Sequence, residues 1–432
     1  MSSTFGSSVP YAEPIWYSRG LSLDYDSSHE RLRSAIREYV DTSIAPHVEE
    51  WEKKGSIPPE VYQRHADLGY VAAAIYPMSK ENIGGVTLPG NVPAESWNAF
   101  HDLILMDEIA RIGYLGVIWG LGCGNVIGCP PLINHGTPEQ KQKFLPPVFR
   151  GRSRFCLGIT EPDAGSDVAN ITTVAERKGD KYIINGAKKW ITNGIWADYC
   201  AAAVRTGGPG RKGVSALIIP LKEKGVMCRK MENSGVSASG STYIEFDDVE
   251  VPVSNLLGKE NEGFDIIMTN FNHERLWLAC ISLRLSRVCV RDAYEHAQSR
   301  ETFNKPLLSN QLIRFKLADI GGKIEPVYAF LEQLVRLISD SAKAGVDNAL
   351  SGEIALLKVM AGQTLEKTVR ESQQIFGGLG YSRNGKGAKV EQISRDVRVM
   401  VVGGGSEEIL MDLALKQEER ALKKLGGKKA KL

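Results

Sequence analysis

The sequence predicts an α+β protein in which two helical segments flank, along the chain, a central antiparallel β domain. The first observation is a change of period: from Arg154 onward, apolar and polar residues alternate as they do in half-buried strands. The second is the return of the helical period from Gly263 to the end of the chain. The third is the length of these last helical patterns, which is typical of an antiparallel four-helix bundle.

These changes of period divide the chain into an arm, three domains and a tail. Residues 1–26 show no period and are interpreted as an N-terminal arm. The segments that follow are an all-α domain at 27–150, a β domain at 151–262, a helical bundle at 263–425 and a basic tail at 426–432.

Local patterns place the elements within these segments. Ser27 and Glu30 match a capping box and predict the start of the first long helix. Further helices are predicted at 58–69, 94–112, 137–149, 263–299, 306–342, 349–376 and 405–424. Strands bounded by Gly, Asp, Asn and Pro are predicted at 154–160, 172–177, 181–186, 198–205, 214–220 and 241–251.

Composition excludes several classes of protein. The 432-residue chain has 43% hydrophobic and 24% charged residues, which is ordinary for a globular protein. Its net charge of +2 gives no whole-chain argument for a nucleic-acid partner, and no apolar run is long enough to span a bilayer. The seven cysteines are scattered and never form C-x-x-C, which argues against a disulfide framework or zinc site and favours a reducing compartment.

Common nucleotide-binding and metal-binding motifs are missing from the sequence. No G-x-G-x-x-G follows a predicted strand and opens a helix, so a Rossmann site is not supported. The glycines at 403–405 lack the Lys-Ser/Thr pair of a phosphate-binding P-loop. The seven histidines are never four residues apart on one helix, and no metal site is predicted.

Two stretches of the β domain carry residues suited to a planar, oxygen-rich ligand. In the stretch 157–167, small residues allow backbone N–H groups around Thr160 and Ser166 to approach anionic oxygens. In the stretch 188–193, Trp190 and Thr192 are two residues apart on a predicted strand, so they are expected to share a face and contact one ring together. A capped β-turn and a half-buried tryptophan beside a satisfied threonine are the purely structural alternatives.

Taken together, the motifs resemble those of the acyl-CoA dehydrogenase family. They are T-E-P-x-A-G-S-D at 160–167, W-I-T-N at 190–193, F-D-D-V-x-V-P-x-x-N-L-L-G at 246–258, R-E-T-F at 300–303 and Q-I-F-G-G-L-G-Y at 374–381. The resemblance extends over nearly the whole chain, and the joint match is far more specific than any single motif. It implies the family's order of helical, β and helical domains, FAD as cofactor, and acyl-CoA thioesters as substrates.

The resemblance also implies positions for the first half of the FAD. Thr160 and the backbone around Leu157 and Ile159 would hydrogen-bond the pyrimidine edge of the flavin. Trp190 would pack against the isoalloxazine on the side away from the substrate. Ser166 would lie near both the FAD pyrophosphate and the substrate.

By the same resemblance, Thr192 would place its hydroxyl at flavin N5. The second half of the FAD would be held by a neighbouring subunit. The residues matched to that second role are Arg300, Thr302, Phe303, Gln311, Gln374, Gly377 and Gly378. Ser406 and Glu408 match further FAD-contacting positions. A cofactor shared in this way makes a homo-oligomer, either a homotetramer or a homodimer, necessary for function.

The catalytic base departs from the commonest family pattern. Most members carry a glutamate in an E-G-T motif near the C-terminus, but Gly404 occupies the matching position here. Isovaleryl- and long-chain-specific members place the glutamate on an earlier helix in an E-R pair, and Glu274-Arg275 matches that pair. Glu274 is therefore predicted to be the base. The alternative interpretation is a helix glutamate that is solvated or that only pairs with Arg275 or a neighbouring turn. Glu407 and Glu408 are the rival candidates.

Further residues match positions that contact the CoA-bearing substrate. They are Asn272 and Arg275 on the helix of the predicted base, together with Gly404 and Gly405 near the C-terminus. The backbone N–H of Gly404 is expected to polarise the thioester carbonyl together with a flavin ribityl hydroxyl. Such a preorganised donor stabilises the charge of an enolate as it develops.

The implied reaction is α,β-dehydrogenation of an acyl-CoA to the trans-2-enoyl-CoA. A carboxylate removes the α-proton and flavin N5 takes the β-hydride. Fatty-acid or branched-acyl β-oxidation and synthesis of an acyl-derived fungal secondary metabolite such as a toxin are both open. The expected electron acceptor is an electron-transfer flavoprotein or O2, and no nucleic-acid partner is expected. An acyl-CoA oxidase, a nitroalkane oxidase or a flavin hydroxylase of the same fold is the alternative function.

The last three residues predict a cellular location. Ala430-Lys431-Leu432 resembles the peroxisomal S-K-L address with Ala in place of Ser. A charged helix end is the alternative interpretation of this tail. The sequence therefore predicts a peroxisomal protein, with cytoplasm or mitochondrion as the alternative locations.

Overall fold

The structure, a computed structural model, describes residues 5–19, 24–78, 81, 83–344 and 350–429. The helices before the sheet are α1 (Ile15–Arg19), α2 (Ser27–Tyr39), α3 (Val48–Lys54), α4 (Pro59–Asp67), α5 (Tyr70–Ala74), α6 (Ala99–Ala110), α7 (Leu115–Gly120), α8 (Cys123–Gly128), α9 (Pro130–His135) and α10 (Pro138–Phe149). This helical segment precedes the strands, as the sequence predicts.

Capping side chains mark some of the helix starts in this segment. Thr137 caps α10 with Gln140 as its reciprocal partner, and Pro138 occupies the first turn. At α2 the prediction was wrong in detail, because Asp26 rather than Ser27 is the N-cap, and its box is completed by His29. An aspartate carboxylate accepts from the first free N–H groups at least as well as a serine hydroxyl does, so the cap lies one residue earlier.

The predicted N-terminal arm contains ordered structure among its described residues. Helix α1 lies within it, and Glu13 pairs with Arg37 at 2.9 Å and with Arg284 at 2.7 Å. Tyr17 is buried and donates its hydroxyl to Glu108 at 2.6 Å. This buried ionic cluster, rather than any apolar period, holds the arm in place.

The β domain is built on one large sheet. Its strands are β1 (Phe155–Gly158), β2 (Val174–Lys178), β3 (Lys181–Ile191), β4 (Tyr199–Arg205), β5 (Val214–Pro220), β6 (Val226–Lys230), β7 (Thr242–Pro252) and β8 (Leu256–Leu257). Their order across the sheet is β6-β7-β3-β2-β4-β5-β8, with β1 paired to β4. One face of β3 and β7 buries side chains such as Tyr182, Ile184, Ile244 and Phe246, which explains the alternation in the sequence.

Two features of the sheet differ from the prediction. The domain is not purely antiparallel, because β1 pairs in parallel with β4 and β2 also meets β4 in parallel. Strand β6 was not predicted, since only its first and third residues are even partly buried and its apolar pattern is weak. Sequence alternation identifies strands with a buried face, but it does not determine which strands become neighbours.

Long helices follow the sheet. They are α11 (Gly263–Ser299), α12 (Gln311–Ala344), α13 (Ser351–Phe376), α14 (Ala388–Val402) and α15 (Glu407–Lys429), and a small hairpin of β9 (Glu301–Thr302) and β10 (Lys305–Pro306) joins the first two. The four predicted helical patterns are present, but α14 makes five among the described residues. Its signal was overlooked: Val390, Ile393, Val397 and Met400 are buried and recur at helical spacing.

The chain divides into two compact units. The first comprises residues 1–40, 98–114 and 275–432, and the second comprises 41–97 and 115–274. The predicted helical segment 27–150 thus contributes to both units, while the large sheet lies in the second and most of the long helices lie in the first. The overall α+β class, with helical, β and helical segments in this order, is confirmed.

Two sequence expectations concern membranes and cellular location. Within the described ranges, none of the helices combines the length and apolar character needed to cross a membrane. The predicted address Ala430-Lys431-Leu432 lies outside the described residues.

Candidate functional site

The first predicted flavin segment leaves the sheet at the end of β1. Gly158 is required there, because an added Cβ would lie 2.4 Å from the Cys200 sulfur on the parallel neighbour β4. Beyond the strand, the Thr160 carbonyl accepts from the Lys189 N–H at 2.8 Å. The structure therefore brings the two predicted segments, 157–167 and 188–193, together through a backbone hydrogen bond.

A buried ion pair joins the same two segments through their side chains. Lys188 Nζ donates to Glu161 Oε1 at 2.7 Å and to the Ile159 carbonyl at 3.1 Å, and both charged side chains are almost fully buried. The Glu161 carboxylate also accepts from the backbone N–H groups of Thr172 and Thr173. Burial raises the pKa of Glu161, but the charge of Lys188 and these hydrogen bonds outweigh it and hold the pKa at about 2.

Sequence reasoning assigned no role to Glu161 or Lys188, although both lie within the recognised motifs. Burial lowers the pKa of Lys188, and the Glu161 charge opposes that effect. The pair fixes the loop that carries Thr160 against the strand that carries Trp190. A rigid support of this kind is what a ligand-binding loop needs in order to hold its backbone groups in one geometry.

The turn after Thr160 presents Ser166 at the surface. Glu161 and Ala164 close the turn with a 3.0 Å backbone hydrogen bond, and Ser166 is exposed beyond it. Arg205 anchors the following backbone by donating to the carbonyls of Ala169 at 2.7 Å and Ile171 at 2.9 Å. Arg205 is a second supporting residue that no sequence motif indicated.

Trp190 and Thr192 do not lie on a regular strand, so the reason given for their common face was wrong. The β3–β7 register is irregular between Lys188 and Ile191, and Trp190 has a left-handed backbone with φ of 65°. Thr192 follows the end of β3 in a turn and is half-buried. Trp190 is 53% exposed, so its ring is available to a ligand. The roles of both residues in flavin binding stay predictions.

Asn193, the next residue, fixes this turn. Its side-chain oxygen accepts from Gly124 N–H at 2.7 Å, and its amide nitrogen donates to the carbonyls of Trp119 at 3.1 Å and Ser239 at 2.8 Å. Its backbone is left-handed with φ of 60°, a conformation that asparagine tolerates better than most residues. Asn193 therefore ties the end of the W-I-T-N motif to three separate parts of the second unit.

Glu274, the predicted base, lies on α11. Its side chain is half-buried, and its Oε2 atom is shielded from solvent. Burial raises the pKa of the Cys123 thiol and the Glu274 charge adds to this effect, so the carboxylate lies within electrostatic range of the start of α8. Asn272, one of the predicted substrate contacts, is also half-buried. Glu274 is thus not the fully solvated helix glutamate of the alternative interpretation.

The rival carboxylates lie at the start of α15. Glu408 is exposed, and hydrogen bonds from the backbone and from the Ser406 hydroxyl lower its pKa. Such a carboxylate caps its helix and is a weak base, since a general base works best with a pKa near the working pH. Glu407 is half-buried and accepts from Gln363 Nε2 at 3.3 Å.

All but one of the residues matched to the second half of the FAD are exposed. Residues Phe303 and Asn304 form the tip of the β9–β10 hairpin, both with left-handed backbones as in a type I′ turn, and Phe303 is 99% exposed. Thr302 is half-buried, whereas the exposed members of the set are Arg300, Phe303, Gln311, Gln374, Gly377 and Gly378. This exposure is compatible with binding a partner's cofactor, and the roles stay predictions.

Gly404 and Gly405 follow α14 and are half-buried. The Gly404 carbonyl accepts from Arg275 Nε at 2.9 Å. Arg275 was matched to a substrate contact, and the structure gives it a structural bond in addition. No motif indicated Lys358, a buried lysine of α13 that also contacts this loop.

Comparison with known proteins matches most of the chain to one family. The family models described as acyl-CoA dehydrogenase N-terminal, middle and C-terminal domains match residues 26–152, 156–249 and 261–418. Acyl-CoA substrates and electron-transfer flavoproteins as partners are typical of this family.

Individual relatives agree with this match. The chain is 54% identical to "Acyl-CoA dehydrogenase AFT10-1" of Alternaria alternata over 98% of both proteins, and 42% identical to "Acyl-CoA dehydrogenase apdG" of Emericella nidulans over 95% of both. A crystal structure of a putative acyl-CoA dehydrogenase from Mycobacterium smegmatis is 33% identical with a TM-score of 0.83, covering 92% of this chain and 99% of that one. The chain therefore belongs to the acyl-CoA dehydrogenase family of flavin-dependent oxidoreductases, whose cofactor is FAD.

Proposed function

We propose that this enzyme converts an acyl-CoA to the trans-2-enoyl-CoA, with Glu274 as the base that removes the α-proton. The proton passes to the Glu274 carboxylate, the Cβ–H bond breaks with its electron pair, and a double bond forms between Cα and Cβ. FAD, when bound, supplies the acceptor for that hydride.

The observation that carries the proposal is the half-buried Glu274, paired in sequence with Arg275 on α11, in a chain whose position 404 is glycine. One of its carboxylate oxygens is shielded from solvent. Glu408 fits less well, because it is exposed and hydrogen bonds from the backbone and from Ser406 lower its pKa. Glu407 is half-buried with one shielded oxygen, as Glu274 is, so the match of Glu274-Arg275 to the E-R pair of the family decides between them.

The described residues also fit FAD. Trp190 presents an exposed aromatic ring beside a loop that is braced by a buried ion pair. Gly377 and Gly378 have no atom within 4 Å of an added Cβ, so a ligand can approach their backbone closely. Thr160, Trp190 and Thr192 are therefore proposed to hold the flavin.

An anaerobic titration with acyl-CoAs of graded chain length tests the proposal. The purified enzyme should be yellow, and a matching acyl-CoA should bleach the flavin absorbance. Replacing the carboxylate in Glu274→Gln should slow bleaching by at least about 100-fold, the usual contribution of a general base. Glu295→Gln, which changes an exposed glutamate of the same helix, is the control and should bleach at the wild-type rate. Bleaching of Glu274→Gln at the wild-type rate would exclude Glu274 as the base.

We also propose a homo-oligomer in which neighbouring subunits share each FAD. The exposed residues of the β9–β10 hairpin and of the Gly377–Tyr381 turn support this proposal, because the family resemblance assigns them to a partner's cofactor. Sedimentation equilibrium measures the mass directly. A monomer that retains FAD at low protein concentration would contradict the shared site.

The predicted tail Ala430-Lys431-Leu432 leads us to propose a peroxisomal location. A peroxisomal enzyme is separated from the mitochondrial electron-transfer flavoprotein, so reoxidation by O2 is the alternative to a flavoprotein acceptor. Hydrogen peroxide released at the rate of turnover would favour the oxidase. Turnover that requires an added electron-transfer flavoprotein would favour the dehydrogenase. Import of a fluorescent fusion, with and without the last three residues, tests the location.

A further inference from the structure

The loop between α14 and α15 is built from three consecutive glycines, Gly403 to Gly405. Gly404 and Gly405 have φ of 68° and 115°, values that residues with a Cβ rarely adopt. An added Cβ at Gly405 would also lie 2.8 Å from Leu410 Cδ2. The required backbone thus demands glycines, and consecutive glycines are costly to hold in one conformation because they lose the most freedom on folding.

Lys358 compensates for this intrinsic flexibility. It lies on α13, it is only 2% exposed, and its ammonium group donates to the carbonyls of Val401 at 2.5 Å and Gly405 at 2.9 Å. The first carbonyl belongs to the last turn of α14 and the second to the glycine loop. A single buried cation therefore connects the helix end to the loop that follows it, and charge-assisted bonds of this kind are the strong ones.

Arg275 holds the same loop at its centre. Its Nε donates to the Gly404 carbonyl at 2.9 Å, and the residue is buried. Because a trans peptide unit is planar, its N–H points away from its carbonyl. With the carbonyls of Gly404 and Gly405 directed at cations, the N–H groups of Gly405 and Ser406 are directed away from them.

We propose that Lys358 is a positioning residue for the reaction. Its bonds to the Val401 and Gly405 carbonyls hold the loop on either side of Gly404, so that the Gly404 backbone N–H polarises the acyl-CoA thioester carbonyl. This inference rests on the proposed function. In this chain no side chain at position 404 can anchor the loop, so the anchor must come from outside it. A donor held in place before the reaction favours the negative charge that develops on the thioester oxygen.

The test uses a substrate analogue that can lose the α-proton but cannot complete the reaction. In a 3-thiaacyl-CoA, sulfur replaces Cβ, so no β-hydride is available. Its bound α-anion gives a long-wavelength absorbance with the oxidised flavin, and the pH dependence of that band measures the pKa of the bound α-proton. This pKa depends on the polarisation of the thioester carbonyl and not on the rate of turnover.

Lys358→Met keeps the length of the side chain and removes its donors. We expect the pKa of the bound analogue to rise by about 1 to 2 in Lys358→Met, as for loss of one preorganised donor interaction, while the dissociation constant of the analogue changes less. Lys367→Met is the matched control, because Lys367 lies on the same helix, is 40% exposed and contacts Glu371 at 3.1 Å. It should leave the pKa of the bound analogue unchanged.

The outcomes separate the two proposals. A wild-type enzyme that never deprotonates any 3-thiaacyl-CoA would refute the proposed function, and the positioning role with it. A wild-type enzyme that does so, with Lys358→Met showing the same pKa, would overturn the positioning role alone. If Lys358→Met is not obtained as a folded holoenzyme, Gly405→Ala distorts the same loop and leaves Lys358 in place. It should raise the same pKa, and an unchanged value would also overturn the inference.

Discussion

Replacing Lys188 by methionine tests whether the buried pair with Glu161 supports the flavin loop. The two side chains are 0% and 2% exposed, and their charged atoms are 2.7 Å apart. Methionine has nearly the same length but no charge, so the Glu161 carboxylate would stay buried with only its hydrogen bonds from Thr172 and Thr173. The variant therefore removes one charge of a buried pair and leaves the other without its counter-ion.

Two arguments give the size of the effect. Breaking a buried ion pair by removing one partner costs about 3 to 5 kcal/mol. Independently, the pKa of Glu161 is held at about 2 against an ordinary value of 4.5, and a difference of that size corresponds to about 3 kcal/mol of stability at neutral pH. The second value is a net one, because burial opposes the effect of Lys188 and the threonine hydrogen bonds add to it. We expect Lys188→Met to lose about 3 kcal/mol.

A double-mutant cycle measures this value. Urea unfolding at a fixed, saturating FAD concentration is followed by circular dichroism for the wild type, Lys188→Met, Glu161→Gln and the double variant. Glutamine keeps an acceptor for the threonine N–H groups and removes the charge. The double variant should therefore be more stable than the sum of the single losses predicts, by about 2 kcal/mol. Additive losses would refute the claim that the two charges depend on each other.

The same variant has a defined pH dependence. In the wild type, the folded-state pKa of Glu161 lies below the unfolded value, so its contribution is complete above pH 4.5 and is lost as the pH falls toward 2. Without Lys188, burial is expected to raise the pKa of Glu161 above its ordinary value, so protonation then stabilises the folded state. The difference in melting temperature between the two proteins should shrink between pH 7 and pH 4, and a constant difference would contradict this account.

Two further predictions concern supporting residues. Asn193→Asp keeps the size of the side chain but removes the donors to two buried carbonyls and places a carboxylate against them. We expect the free energy of unfolding to fall by about 2 to 4 kcal/mol and FAD binding to weaken. An unchanged melting temperature would contradict its role as a junction. Arg205→Met removes the donor to the carbonyls of Ala169 and Ile171, which follow Ser166. It should weaken FAD binding by several-fold and speed hydrogen exchange at 166–171. Exchange that stays at the wild-type rate there would show that Arg205 does not order this loop.

The fold could be predicted to the extent that local pattern determines it. Strand β5 has the predicted bounds, since apolar residues between Gly213 and Pro220 define it. Strand β6 was missed because its exposed residues leave no alternation, and α14 was missed although its apolar residues recur at helical spacing. The parallel pairing of β1 with β4 lay beyond local pattern, because neighbours in a sheet are chosen by packing over long sequence separations.

The residues of the candidate site also differ in whether the sequence could predict them. Residues within compact motifs, such as Thr160 and Trp190, were found because family resemblance preserves their spacing. Supporting residues were missed where the two partners are far apart in the sequence, as with Lys358 and the Gly405 carbonyl. A buried lysine and a surface lysine have the same letter, and only the folded environment tells them apart. For this reason the supporting set emerged from the structure alone.

Trp190 shows how a correct candidate can follow from an incorrect geometric reason. Side chains two residues apart on a regular strand share a face, so the ring of Trp190 and the Thr192 hydroxyl were expected on one side. The backbone departs from regular strand geometry at Trp190, where φ is 65°. A bulky residue in this backbone region is strained, and such strain persists only where the surroundings impose it. Three residues further on, Asn193 is held by hydrogen bonds to separate segments. Trp190 has an exposed ring and a strained backbone next to a fixed turn. These observations are stronger evidence for a ligand-binding surface than the two-residue period of a predicted strand.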